Sequence, residues 1–397
     1  METTNAFAGL ACADCGAVHG VDVAGRCPDC GGRLDATYDP GAIEAKDVSD
    51  REPSGEEGMW AFDTVLPFPA RDRVSASEGG TPLIDADELA DELGVGSVQI
   101  KDESRNPTGT VLDRGMSLAA TAAAGHAANR DVEPLALAAA GNAAQSAAAY
   151  AGRIGLRSYA FVPSRCAFSN KAMVNVHGGE MRVIGGRYDD ARAAVDEQLR
   201  ADYYSLQEFT TPYRHEGIKT LALELLADRG WSPPDAVFVP TGTGEVLVGA
   251  VKGFELAVDL GLADAIPEVI AVQPEGCAPI ADAHERGLPA PEPWEVPDTI
   301  VGELEIPDPD GGPAALEALD RAGGRAVTVP DEEILESAVN VCQTAVVEMG
   351  PGGGAAAAGA SGVAPDLADD AEIVLLNAES GGKTPDVLRS HLMGKGI

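Results

Sequence analysis

The chain has 397 residues, with 64 acidic side chains against 28 basic ones and a formal net charge of −36. Phosphate backbones are held by clustered Lys and Arg, so this balance excludes a nucleic-acid partner, and it disfavours an anionic membrane surface. A hydrophobic fraction of 45% marks a folded chain of two or three domains, not a disordered acidic one. The acid is spread along the whole length, and only seven of the basic residues are Lys. A dispersed acidic coat of this kind is expected of a halophilic protein, because net charge governs solubility. No run approaches the ~20 apolar residues of a membrane span. Residues 1–10 carry neither a basic residue nor a signal core. The expectation is a cytoplasmic protein whose thiols stay reduced.

Residues 1–42 read as a zinc ribbon. Cys12-x2-Cys15 and Cys27-x2-Cys30 are two knuckles, and together they supply the four thiolates of a tetrahedral site. Such a site has no open position, so the zinc is expected to be structural. A disulfide pair or a redox C-x-x-C is the other reading of the same spacing. Gly16, Gly31 and Gly32 follow the knuckles, where tight turns favour positive φ. His19 reads as a loop residue, and Cys166, Cys277 and Cys342 as small apolar residues. Residues 43–58 are rich in Asp, Glu, Ser and Gly and read as a linker.

Beyond the linker, strands and helices alternate. Strands are predicted at 98–101, 135–139, 158–162, 180–184, 236–239, 269–272 and 373–376. Helices are predicted at 115–128, 143–152, 170–177, 188–199 and 246–260. Repeated β–loop–α units predict an α/β fold with parallel or mixed sheets and helices on both faces. Ligands in such folds sit beyond the carboxyl ends of the strands. Three loops fall there: 106–115, Gly141-Asn142 and 240–249.

The motifs in these loops resemble those of threonine synthase, within the fold type II family that uses pyridoxal phosphate. The resemblance rests on several runs in order. They are Glu78-Gly79-Gly80-Thr81-Pro82-Leu83, Lys101-Asp102-Glu103, Asn106-Pro107-Thr108-Gly109-Thr110, the segment from Pro212 through Arg214, His215 and Glu216 to Thr220, and Gln273-Pro274-Glu275-Gly276. It implies two α/β domains behind the ribbon: a large one from 59–117 and 207–397, and a small one at 118–206. It implies a homodimer. It also implies pyridoxal phosphate held by Asn142, by Gly242, Thr243 and Gly244 of a phosphate loop, and by Ser380. The implied reaction converts O-phosphohomoserine to threonine and phosphate, with Asn106, Thr108, Thr110, Asp113 and Arg114 as substrate-site candidates.

The same motifs depart from the family where its chemistry is done. The family's Phe-Lys-Asp-Arg-Gly reads Val111-Leu112-Asp113-Arg114-Gly115 here, so Leu112 stands at the Schiff-base lysine. The family's Ser-Gly-Asn reads Ala140-Gly141-Asn142, and Glu245 follows the phosphate loop. The C-terminal Thr-Gly-x-Gly-x-Lys becomes Asn377-Ala378-Glu379-Ser380-Gly381-Gly382-Lys383, one residue longer. Scarcity of lysine does not explain Leu112, because Lys101, Lys171, Lys219 and Lys252 remain at family positions. The expected protein is a catalytically degenerate homologue that binds an amino-acid or phosphate-bearing metabolite, or that partners an active paralogue. One alternative is a working lyase in which Lys101 reaches the cofactor. Another is a different activity built on Asp113, Arg114, Asn142 and His215. His215 itself reads as a capping or surface residue beside Glu216.

Overall fold

Short Val/Ile/Leu/Ala runs form the strands of the computed structural model, which describes residues 1–51, 57–128, 130–199 and 203–395. Three sheets result. β1 (Phe7–Cys12), β2 (Val18–His19) and β3 (Leu34–Tyr38) make a small antiparallel sheet in the order β2-β1-β3, which carries the cysteine knuckles.

β4 (Leu83–Asp85), β5 (Ser97–Asp102), β6 (Leu135–Ala138), β7 (Ser158–Pro163), β8 (Glu180–Ile184) and β9 (Tyr204–Ser205) come next in the chain. β10 (Ala236–Pro240), β11 (Glu268–Pro274), β12 (Arg325–Val329) and β13 (Glu372–Asn377) follow. The six-stranded sheet has the order β12-β11-β10-β13-β5-β4 and is parallel except for β4, which runs antiparallel to β5. The four-stranded sheet, β8-β7-β6-β9, is fully parallel. Parallel strands need covering on both faces, and all of β10, for example, is buried.

The elements predicted at 180–184 and 188–199 form at those residues. The helix predicted at 115–128 starts earlier, at Leu112, which puts Leu112 on its first turn. Three strands beyond the ribbon were not expected. β12 is a partly exposed edge strand, and β4 and β9 have only three and two residues. The helix Pro351–Val363 was also missed. Its sequence is almost all Gly and Ala and it is buried from Pro351 to Ala360, so it has no polar face to give a 3.6-residue period.

Residues 52–56 of the predicted linker and 129 and 200–202 of the predicted small domain lie outside the described residues. The described part of the linker is not a tether. Ile43, and Val48 on a short helix Lys46–Ser49, join the core beside Phe62, Val65 and Leu221. Their burial outweighs the polar composition around them.

Candidate functional site

The two knuckles bring the Sγ atoms of Cys12, Cys15, Cys27 and Cys30 within 4.8 Å of one another. Cys12 and Cys30 are 3.5 Å apart, and Cys15 and Cys27 are 3.8 Å apart. Four zinc–sulfur bonds of ~2.3 Å in a tetrahedron require sulfur separations of roughly 3.8 Å, so the donor set fits one such ion. Gly16 and Gly31 take φ of +72° and +80°. Gly32 does not, and its role is close approach: a Cβ there would lie 2.8 Å from Cys12 Sγ. His19 does more than fill a loop, since its Nε2 lies 3.4 Å from Cys27 Sγ. Cys166 and Cys277 are buried as expected, whereas Cys342 is only half-buried and its sulfur accepts the Met349 amide.

A cleft of about 90 Å3 opens beyond the carboxyl ends of β6, β10 and β13. The helices Leu112–Ala127, Asn142–Arg153 and Glu245–Asp259 begin at its walls. The second and third follow their strands after only Ala139-Ala140-Gly141 and Thr241-Gly242-Thr243-Gly244, whereas the first follows β5 after residues 103–111. Gly244 has φ of +88°, and a Cβ there would meet Ala315 at 3.0 Å, so the turn into the last helix requires glycine.

Of the residues expected at a ligand, Thr110, Leu112, Asn142, Gly242, Thr243 and Gly244 line this cleft. Asn106, Thr108, Asp113 and Arg114 do not. Asn106 accepts the Gly79 amide at 2.9 Å and donates to Glu103 at 2.6 Å. The Thr108 amide and hydroxyl both donate to Asp113 at 2.7 Å, and Ser146 donates to the same carboxylate at 2.5 Å. Burial raises Asp113 to about 6 against those bonds. Arg114 is fully buried and forks onto Glu103 and Glu224 with four contacts of 2.6–2.7 Å. Its donors are therefore committed to the scaffold. Ser380 is also displaced. It caps the turn Gly381–Lys383 and donates to Glu348 at 3.0 Å, while its neighbour Glu379 faces the cleft.

His215 is not a surface residue. It is fully buried, with Nε2 2.7 Å from Asp35 Oδ1 of β3, and burial lowers its pKa. Lys101 points away from the cleft, donating to the Thr81 carbonyl at 2.6 Å and to Asp228 at 2.9 Å.

Several cleft residues carried no assigned role in the sequence. Arg214 donates to Glu208 at 3.1 Å and is ion-paired with Glu245. Tyr188 donates to Glu208. Burial, with Glu208 pushing further and Arg214 opposing, raises Glu245 to about 7. At the other end, Glu379 accepts from Asn142 Nδ2, and Lys383 Nζ donates to Asn142 Oδ1 at 2.8 Å. Burial and the neighbouring Glu379 hold Glu303 well above the ordinary carboxylate range. The extra residue in the C-terminal loop was the one sequence signal for Glu379.

Residues 74–379 match the model of the family described as pyridoxal-phosphate dependent enzyme. The threonine synthase of Methanosarcina acetivorans is 33% identical over 354 residues, covering 88% of this chain and 85% of that protein. That of Methanocaldococcus jannaschii is 31% identical over 379 residues, covering 94% and 93%. The chain belongs to the threonine synthase family of pyridoxal-phosphate-dependent enzymes. Among solved structures, a fungal L-serine ammonia-lyase from Rhizomucor miehei shares the fold, with a TM-score of 0.69 at 20% identity over 79% of this chain and 97% of that one. Diaminopropionate ammonia lyase from Escherichia coli has a TM-score of 0.69 at 19% identity, covering 81% and 89%.

The family's cofactor brings an aldehyde, a phosphate dianion and a polar ring. The side chains of this cleft do not fit them. Leu112 offers no amine, and no lysine lines the cleft among the described residues. Glu245 sits on the first turn after the Gly-rich loop with Oε2 lacking any partner, so a dianion on that turn would meet a buried carboxylate. Arg214 cannot compensate, being shared already between Glu208 and Glu245. The Asn142 amide is occupied on both sides by Lys383 and Glu379.

Proposed function

We propose that this chain is a member of the threonine synthase family that does not perform the family's Schiff-base reaction on O-phosphohomoserine and that uses its cleft to bind a small metabolite. The observation that carries this reading is Leu112 on the cleft wall, at the start of the helix Leu112–Ala127. A leucine has neither a nucleophilic nitrogen nor a proton to move. In the same reading, Cys12, Cys15, Cys27 and Cys30 hold a structural zinc, and 118–206 is a small domain built on the sheet of β6 to β9. The protein is a cytoplasmic homodimer of a salt-rich cell.

The test is the spectrum of purified protein with pyridoxal phosphate, beside Leu112→Lys. No aldimine band is expected in either protein, because the variant restores the amine but leaves Glu245 and the occupied Asn142. A band in the wild type that survives as a pyridoxyl-lysine after borohydride reduction overturns the proposal. One observation favours a second reading, in which another lysine serves: Lys383 Nζ lies 2.8 Å from Asn142 Oδ1, and burial lowers its pKa. Peptide mapping after reduction separates the two, since the second reading requires the adduct on Lys383.

A further inference from the structure

We propose that the cleft takes a small aliphatic ammonium compound, and not the phosphorylated ligand that the family implies. The inference rests on the reading that the Schiff-base chemistry is absent. Two carboxylate oxygens on the walls of this cleft have no hydrogen-bond partner: Glu245 Oε2 and Glu379 Oε1. Their residues are 3% and 2% exposed, so bulk water does not serve these atoms. A buried acceptor without a donor is costly, and a charged one more so. An ammonium group brings N–H donors and the opposite charge together.

The charge count of the walls points the same way. Glu208, Glu245, Glu303 and Glu379 all line the cleft, and Arg214 is the one cation among its lining residues. Burial and Glu379 keep Glu303 protonated, which leaves Glu208, Glu379 and, above about pH 7, Glu245 facing Arg214. Lys383 stands behind Asn142. An anionic ligand would add to this surplus, whereas a cationic one offsets it. The walls of the same cleft also include Ala138, Ala139, Ala143, Val246 and Ala378, and these suit methylene groups. A bare divalent ion is a poorer match, because it seeks about six oxygen ligands. Among the described residues the groups able to hold a metal are the four cysteines and His19 with Cys27 and Asp29, and neither is in the cleft.

The experiment is titration calorimetry of the full-length chain with 1,4-diaminobutane at one fixed potassium chloride concentration. 1-Butanol, inorganic phosphate and pyridoxal phosphate are run beside it. The expected result is saturable binding of the diamine and none of butanol or phosphate. Glu379→Gln and Glu245→Gln should each weaken diamine binding by about tenfold or more, as expected for a charge-assisted contact. No saturable heat with the diamine, binding of butanol equal to it, or indifference to both substitutions overturns the inference. If circular dichroism shows that a variant has not folded, the comparison of diamine with butanol and phosphate on the wild type still decides. The absence of both diamine binding and an aldimine band refutes this inference alone. A pyridoxyl-lysine after reduction refutes the underlying reading instead.

Discussion

Glu245→Gln should remove a pH-dependent weakness from the protein. The wild-type carboxyl is buried on Arg214 with Glu208 on the same guanidinium. Its pKa is raised from 4.5 to about 7, first by burial. In the unfolded chain the proton leaves near 4.5; in the folded protein it stays until about 7. Across that window the folded state binds more protons, so the stability contributed by this group falls as pH rises. The interval corresponds to about 3 kcal/mol at 1.36 kcal/mol for each tenfold change in proton affinity. Glutamine keeps the shape and a contact to Arg214 but carries no titrating proton. Chemical denaturation of both proteins in the same salt should therefore give similar stabilities near pH 4.5. By about pH 8 the variant should lead by up to about 3 kcal/mol. Taking the difference cancels other groups that titrate in this range, such as Asp113. A difference that stays flat with pH, or a wild type that gains on the variant as pH rises, refutes the reasoning.

Arg114→Met should destabilise the fold by about 3–5 kcal/mol, because it strands Glu103 and Glu224 as buried charges. Denaturation midpoints report this, and a variant of unchanged stability that has lost diamine binding would return Arg114 to the ligand site. Cys15→Ser removes one of four thiolates. Zinc released by mercurial titration should be one per chain in the wild type and well below one in the variant, with a lower thermal midpoint; equal zinc in both proteins refutes the four-thiolate site.

The alternation of strand and helix was legible because each central strand is a short apolar run closed by Gly, Pro or charge, as in β10. The cysteine knuckles were legible because spacing alone fixes their geometry. Elements without contrast were not: the buried helix Pro351–Val363 has no polar face, and β12 sits half-exposed at an edge. At the cleft, Leu112, Asn142 and Gly242 to Gly244 could be placed by motif order. Motif order cannot say which way a side chain turns. It therefore did not reveal that Arg114 is spent on Glu103 and Glu224, or that Arg214 divides itself between Glu208 and Glu245. In the C-terminal loop it is Glu379, and not Ser380, that lies on the wall.

β3 of the cysteine-bearing sheet reaches into the body of the protein. Asp35 meets His215 at 2.7 Å, and the Tyr38 hydroxyl donates to Glu216 at 2.5 Å. Glu216 in turn holds Lys252 at 2.6 Å, and the Lys219 ammonium lies 4.0 Å from the Tyr38 ring. Arg214, on the cleft wall, precedes His215 in the same helix. A chain cut at residue 43 would leave His215, Glu216 and Lys219 facing solvent from a pocket shaped for protein. Through Asp35 and Tyr38 the cysteine-bearing sheet thus braces the helix that carries Arg214 to the cleft wall.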